Sequence, residues 1–585
     1  MTVIATAFAA EPLPNKDLAA LFEREFKHAI VENPELGTIY GVPGFDDKIT
    51  DHSAAAIARR KAHVKVLIAE LKHFDPAKLS TQDRISRDIA LYSAGMQARE
   101  NAFYGDLPMG SGFGDGWNEV TTQSGPELGV GYVVNATRFA NTADYENYLK
   151  RLSKIPAWLD QSIETLRAGM RSGWMPPHEA MVTVPQMFDD FAGADITRSP
   201  MWQPFTKFPA EVSEADRERI TAEARHILSG AVHPAFAKFQ TFIEKEYVPV
   251  TRKELAASAL PGGPAYYAFR VRENTTLPLD PAEIHKTGLA EVARIHAEME
   301  KVIASTQFKG SFEDFIKYTE TDPRFFSKSS QERLTSYRDM AKRADAELPK
   351  LFATLPRLPY GVRPMEAYEG DNADHYAPGA LDGSRAGFFD ANVNNAEKKG
   401  WLDMESTLLH EAVPGHHLQT SRALEIEGLP NFRRTGWYVA YGEGWALYAE
   451  SLGYEMGFYK DPYSHFGALS NEMLRACRLV IDTGIHSMGW TREQSIKYLG
   501  ENTGMNAGFV AAEIDRYIVD PGQALGYKIG ELKIKALRAK AKAALGESFD
   551  VRRFHNAVLD DGALPLTVLE SRIDEWIANE KRRKS

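Results

Sequence analysis

Pro414, four residues after His410, limits what this chain can fold into more than any other residue. Proline has no N–H to give the carbonyl four residues back, and its ring clashes with that carbonyl. A helix running through His410 must therefore kink or break at this point. The next residue, Gly415, can take backbone angles closed to side chains with a Cβ. The whole stretch reads His410-Glu411-Ala412-Val413-Pro414-Gly415-His416-His417, three histidines and a glutamate around a forced interruption.

A straight helix could not gather these histidines. His416 lies six residues beyond His410, about 240° round the axis. His417, seven residues on, returns to the first face but some 10 Å along the axis. In H-E-x-x-H the two histidines are about 40° and roughly 6 Å apart, so both reach one ion. The pattern here predicts a helix from about Asp403 to Val413, a bulge at Pro414-Gly415 that swings His416 back beside His410, and a second helix from His416 to about Glu425. His417 then stands behind the ligands, contacts substrate or serves as an alternative ligand.

A second acidic segment follows, Gly442-Glu443-Gly444-Trp445-Ala446-Leu447-Tyr448-Ala449-Glu450. A catalytic zinc site needs three protein ligands, an open position for water and a carboxylate beside that water. His410 and His416 supply two ligands. Glu443 and Glu450, seven residues apart on one helix face, compete for the third place. Glu443, flanked by two small glycines, fits the ligand position. Glu450 fits the task of orienting a ligand histidine. Solvated surface charge is the plain alternative for such a pair. Glu411 would act as general base on the water and then as acid to the leaving amine. A helix-end His-Glu pair could merely cap the surface, but a costly proline, a glycine and three histidines within eight residues speak against that. Two histidines and a glutamate accept Mn²⁺ or Co²⁺ as well as Zn²⁺.

These residues spell H-E-x-x-P-G-H and then E-G-W-A-L-Y-A-E, and here the chain resembles the domain-of-unknown-function family numbered 885. Further blocks carry the resemblance: Pro261-Gly262-Gly263-Pro264-Ala265-Tyr266-Tyr267, Asn274-Thr275-Thr276, Pro364-Met365-Glu366-Ala367-Tyr368 and Gly383-Ser384-Arg385-Ala386-Gly387-Phe388-Phe389. So do Arg478-Leu479-Val480-Ile481-Asp482-Thr483-Gly484-Ile485-His486, Asp515-Arg516-Tyr517 and Pro521-Gly522-Gln523-Ala524. The match covers nearly the whole chain, more diffusely before about residue 240. The resemblance implies a mainly α, gluzincin-like metallopeptidase fold similar to thimet oligopeptidase, angiotensin-converting enzyme and the Taq-type carboxypeptidases. Such a fold has a deep cleft and a small β-sheet bordering the active site. It also favours Glu443 as third ligand, because its interval from His416 is close to that of the thimet-type relatives.

An oxyanion needs donors besides the metal. Tyr517, Tyr527 and His486 are candidates, and the resemblance favours Tyr517, since tyrosine hydroxyls do this in those relatives. Arg516 could pair with a substrate carboxylate through its fork, as could Arg478 or Arg385. Among 23 tyrosines, a given one is more often a buried aromatic with a satisfied hydroxyl.

Composition bounds the rest. The chain has 585 residues, 43% of them hydrophobic and 25% charged, with a net charge of −11. That balance argues against nucleic acid or anionic membranes as partners. Length alone suggests three or four domains, but helices wrapped round one cleft would make a continuous fold, divided at most into an N-terminal region 1–250 and a metal-binding region 251–585. Cys477 is the only cysteine, so no intrachain disulfide forms. No apolar run approaches a membrane span of about 20 residues. Residues 1–12 resemble the end of a secretory signal without its charged leader, which leans towards a periplasmic or secreted protein, with the cytoplasm as alternative.

Helical periodicity runs through residues 144–168, where Pro156 should introduce a kink, through 281–305 after an Asp280 cap, and through 528–545. A brief strand is expected around Phe388, Phe389 and Ala391, in a loop-rich stretch that also holds Glu366, Tyr368, Asn392 and Asn394. The function expected is a zinc peptidase acting on short peptides. A metal-dependent amidase, or a silent peptide- or metal-binding protein, is the alternative.

Overall fold

Short polar side chains write the helix starts of this chain. Asn15, Ser53, Ser80, Asp280 and Asp461 each accept a hydrogen bond from a backbone N–H of the first turn that follows them, satisfying donors that have no partner within the helix. The computed structural model describes residues 15–110, 116–365 and 373–584. Glu366, Tyr368 and the signal-like segment 1–12 lie outside them.

The fold is mainly α with one small sheet. The expected helix over 144–168 is two helices, Thr142–Leu152 and Ile155–Ser172. Pro156 does not kink a continuous rod. It sits in the first turn of the second helix, where its missing N–H costs nothing. The apolar residues at helical spacing there, Tyr145, Tyr148, Leu149, Leu152, Ile155, Leu159, Ile163 and Leu166, are all buried. They belong to a core cluster running from Val120 to Tyr247, whereas a larger one draws on residues from Ile85 to Ile577.

The helices that build the site are numbered from the middle of the chain: α1 (Pro281–Ser305), α2 (Ser330–Leu351), α3 (Met404–Glu411), α4 (His416–Glu425), α5 (Val439–Met456), α6 (Pro462–Met488), α7 (Ala507–Val519) and α8 (Leu525–Leu545). The longest contacts are α1 along α6 and α5 along α8. The second pair approaches closely because both helices carry glycine at the crossing. A Cβ on Gly444 would be driven into the Cα of Gly530, and one on Gly530 into the carbonyl of Ala440.

Strands β1 (Tyr360–Pro364), β2 (His375–Ala377) and β3 (Gly387–Ala391) form the sheet, in the order β1-β3-β2. β3 pairs parallel with β1 and antiparallel with β2, so Phe389 faces Val362 on one side and Tyr376 on the other. Phe389 is fully buried, its ring 4.9 Å from that of Tyr337 in α2. This anchors the sheet and leaves β2 as the edge beside the cavity described below. Cys477 is buried in a cluster with Val480 and Ile481. Among the described residues no helix is long and apolar enough to cross a membrane.

Candidate metal centre

The interruption falls where proline requires it. α3 ends at Glu411, two residues before the expected Val413, and α4 begins at His416. The last regular bond runs from the Ala412 N–H to the Leu408 carbonyl, and the His417 N–H then returns to the Ala412 carbonyl at 3.0 Å. The Val413-Pro414 peptide is cis. Gly415 has no substitute, because a Cβ there would collide with the carbonyls of Leu409 and His410. The indole of Trp445 in α5 donates to the Pro414 carbonyl at 2.9 Å and ties the break to the helix carrying the downstream acids.

This turn brings His410 and His416 together, with ring centroids 4.8 Å apart and planes perpendicular. Glu443, in the second turn of α5, completes the group. Its Oε2 stands 3.4 Å from Nε2 of His410 and 3.4 Å from Nε2 of His416. Zinc ligands at about 2.0–2.1 Å in tetrahedral arrangement have their donor atoms roughly 3.3–3.4 Å apart. Two edges of such a tetrahedron are therefore in place, and the donor set suits zinc. Glu411 is near but set back, with Oε1 4.0 Å from the same His410 nitrogen. Burial pushes its carboxyl up to about 8, with the imidazole of His416 acting the other way.

Glu450 lies one layer behind. Its Oε1 accepts from Nδ1 of His410 at 2.7 Å, which fixes the tautomer and leaves Nε2 as the free donor atom. Arg475 approaches the same carboxylate oxygen at 3.6 Å. His416 has no such support, since its Nδ1 is buried without a hydrogen-bond partner. His417 points away from the group. Its Nδ1 meets the hydroxyls of Tyr376 in β2 and Ser421 in α4, at 3.0 and 3.1 Å. Burial lowers its pKa to about 4, so it is a neutral link between helix and sheet.

A cavity of about 1170 Å³ opens over the group, bordered by His410, Glu411, His416 and Glu443. Tyr132 and Trp437, each about half exposed, stand on its wall, with the Trp437 ring 5.7 Å from that of His416. Tyr527, not Tyr517, presents its ring here, stacked 6.4 Å from that of His410. The Tyr517 hydroxyl is buried, donating to Glu513 at 2.5 Å and accepting from Arg478 at 2.8 Å. The packing of α7 thus turns the expected oxyanion donor into the core. His486 is also turned inward: its Nδ1 accepts from the Ala257 N–H and its Nε2 donates to the Tyr517 carbonyl. Arg385 hydrogen-bonds the Ile39 carbonyl and is not on the cavity wall. Arg516 is on it, held by Gln523 and the Tyr527 hydroxyl at 2.6 and 3.1 Å.

Across residues 34–573 the sequence matches the model of a family described as bacterial protein of unknown function, DUF885. The chain belongs to the DUF885 family. This DUF885 protein is similar to a solved structure of a candidate lipoprotein from Colwellia psychrerythraea, with 28% identity over 96% of this chain and 99% of that one, and a TM-score of 0.90. A second, a candidate lipoprotein of unknown function from Shewanella oneidensis, shares the fold at 17% identity, with 95% and 99% covered and a TM-score of 0.70. A third, a candidate oligoendopeptidase F from Bacillus anthracis, reaches a TM-score of only 0.27 at 11% identity, over 88% and 96% of the two chains. None of the curated proteins matches this DUF885 chain.

Sequence reasoning passed over Arg475, which lines the cavity one turn before Arg478 on the same face of α6. The signal was available. Two arginines three residues apart in the otherwise apolar stretch 473–481 both need anions or a polar cavity. The Glu450 carboxylate yields a prediction for the DUF885 site. Glu450→Gln should weaken zinc binding about 10- to 100-fold, the usual effect of losing a carboxylate behind a ligand histidine. Competition with a chromophoric chelator checks this, and unchanged affinity would separate Glu450 from the metal.

Proposed function

We propose that this DUF885 protein is a zinc-dependent peptidase that hydrolyses short peptides inside its cavity. The observation that carries the reading is the single Glu443 oxygen 3.4 Å from both imidazole nitrogens, with Glu411 set just behind. His410, His416 and Glu443 would hold the ion. When bound, zinc supplies Lewis acidity and a water that ionises near neutral pH.

The chain's own groups do the rest. Glu411 takes the proton of the attacking water and delivers it to the leaving amine. Its poorly solvated position makes it a better base than a surface carboxylate. The Tyr527 hydroxyl donates to the carbonyl oxygen as charge develops there. Glu450 keeps the His410 ring in place through Nδ1. The edge strand β2 offers main-chain groups to an extended peptide. The candidate-lipoprotein descriptions of both similar structures favour a place outside the cytoplasm.

A defined peptide mixture, read by mass spectrometry after incubation, tests the reading. Cleavage should occur in the zinc-loaded protein, vanish on chelation and return with added zinc. Stoichiometric zinc without any cleavage would favour an amidase on a non-peptide substrate, or a silent binder.

A further inference from the structure

The cavity wall beside Tyr527 gathers three guanidiniums. Arg475 and Arg478 project from α6 and Arg516 from α7, and all three line the cavity. Glu450 and Glu513 pair with them directly, and Glu411 and Asp403 also lie in the field of Arg475. Glu450 is already engaged by His410. Glu513 is shared, since its Oε2 takes Arg478 at 2.7 Å and the Tyr517 hydroxyl, while its Oε1 is 3.3 Å from Arg516. Those three contacts hold Glu513 ionised despite its burial, at about 2.

These contacts leave hydrogen-bonding capacity over on the guanidiniums. Nη1 of Arg478 and Nε of Arg475 are buried with no hydrogen-bond partner. Arg478 is only 4% exposed. A buried, under-partnered guanidinium is costly unless an anion arrives to complete it. The Arg516 side chain, 20% exposed, is the member of the group that an incoming ligand can reach.

We infer that this wall is a subsite for the C-terminal carboxylate of a peptide, with Arg516 as the contacting fork and Arg475 and Arg478 supplying the field around it. The inference rests on the peptidase reading and specifies its substrate as a chain end. Placement sets how far from that end the bond is cut. The Arg478 guanidinium lies 4.3 Å from the centre of the Tyr527 ring and that of Arg516 5.8 Å, while Tyr527 stacks 6.4 Å from the His410 ring. One extended residue spans about 3.5 Å. Arg516 therefore stands within about 12 Å of the His410 ring, about three extended residues at most, and the released product is a C-terminal amino acid or short peptide.

Binding tests this without turnover. Zinc-loaded Glu411→Gln protein is titrated calorimetrically with N-acetyl-Ala-Phe-Leu as free acid and as C-terminal amide. The acid should bind about 10- to 100-fold tighter, the range for a hydrogen bond to a charged group. In the Glu411→Gln/Arg516→Gln double variant the acid-to-amide ratio should fall towards one, and Arg516→Lys in place of Arg516→Gln should restore part of it. Equal binding of acid and amide, or an Arg516→Gln effect that weakens both alike, overturns the subsite. Preferential binding of the acid with no cleavage by the wild-type protein would uphold the subsite and defeat the peptidase reading instead.

Discussion

Glu411→Gln should lower kcat by about 10²- to 10⁴-fold, the usual contribution of a positioned general base. Zinc content should stay at one ion per chain. Glutamine keeps the shape of the side chain, and the carboxylate oxygen 3.4 Å from both imidazoles belongs to Glu443, not to Glu411. Steady-state kinetics on a cleaved peptide, paired with elemental analysis of the same sample, reads both quantities. Loss of the metal along with the activity would exchange the roles of the two glutamates. Retained activity would remove Glu411 from the chemistry altogether.

Tyr527→Phe should cost about 10²- to 10³-fold in kcat with KM little changed, because an oxyanion donor acts in the transition state and not in substrate binding. Tyr517→Phe should behave differently. Its hydroxyl joins Arg478 to Glu513 in the buried core, so removal should show first as a lowered Tm, at a cost of about 1–3 kcal/mol for the unpaired partners. Thermal unfolding and kcat measured on both variants separate the two tyrosines. A catalytic loss at Tyr517 with normal stability would return the oxyanion role to it.

The gathering of His410 and His416 was legible because its logic is local. Proline's missing N–H and glycine's missing Cβ dictate a break, and the break dictates where the second histidine goes. Even there, the helix stops two residues early, since the regular bonding ends before the proline ring is reached. The tyrosines were not legible in the same way. Tyr517 and Tyr527 lie ten residues apart across the Pro521-Gly522 turn, and which of them faces the cavity depends on how α7 and α8 rotate against α6. No residue near either one records that rotation. The same holds for Arg385 and His486, which conform to family blocks yet serve a helix-end carbonyl and a core contact. The split at Pro156 has another cause: a proline in a periodic stretch marks a helix start as readily as a kink, and apolar spacing is the same in both cases.

At the glycine crossing α5 and α8 touch backbone to backbone. Glu443 is adjacent to Gly444, and Tyr527 is about one turn from Gly530, so a candidate metal ligand and a candidate oxyanion donor sit almost at that contact. When two rods rock about a point of backbone contact, atoms beside that point barely move, while those at the far ends sweep wide arcs. Any rocking of α5 against α8 would therefore leave the spacing between Glu443 and the Tyr527 phenol nearly constant.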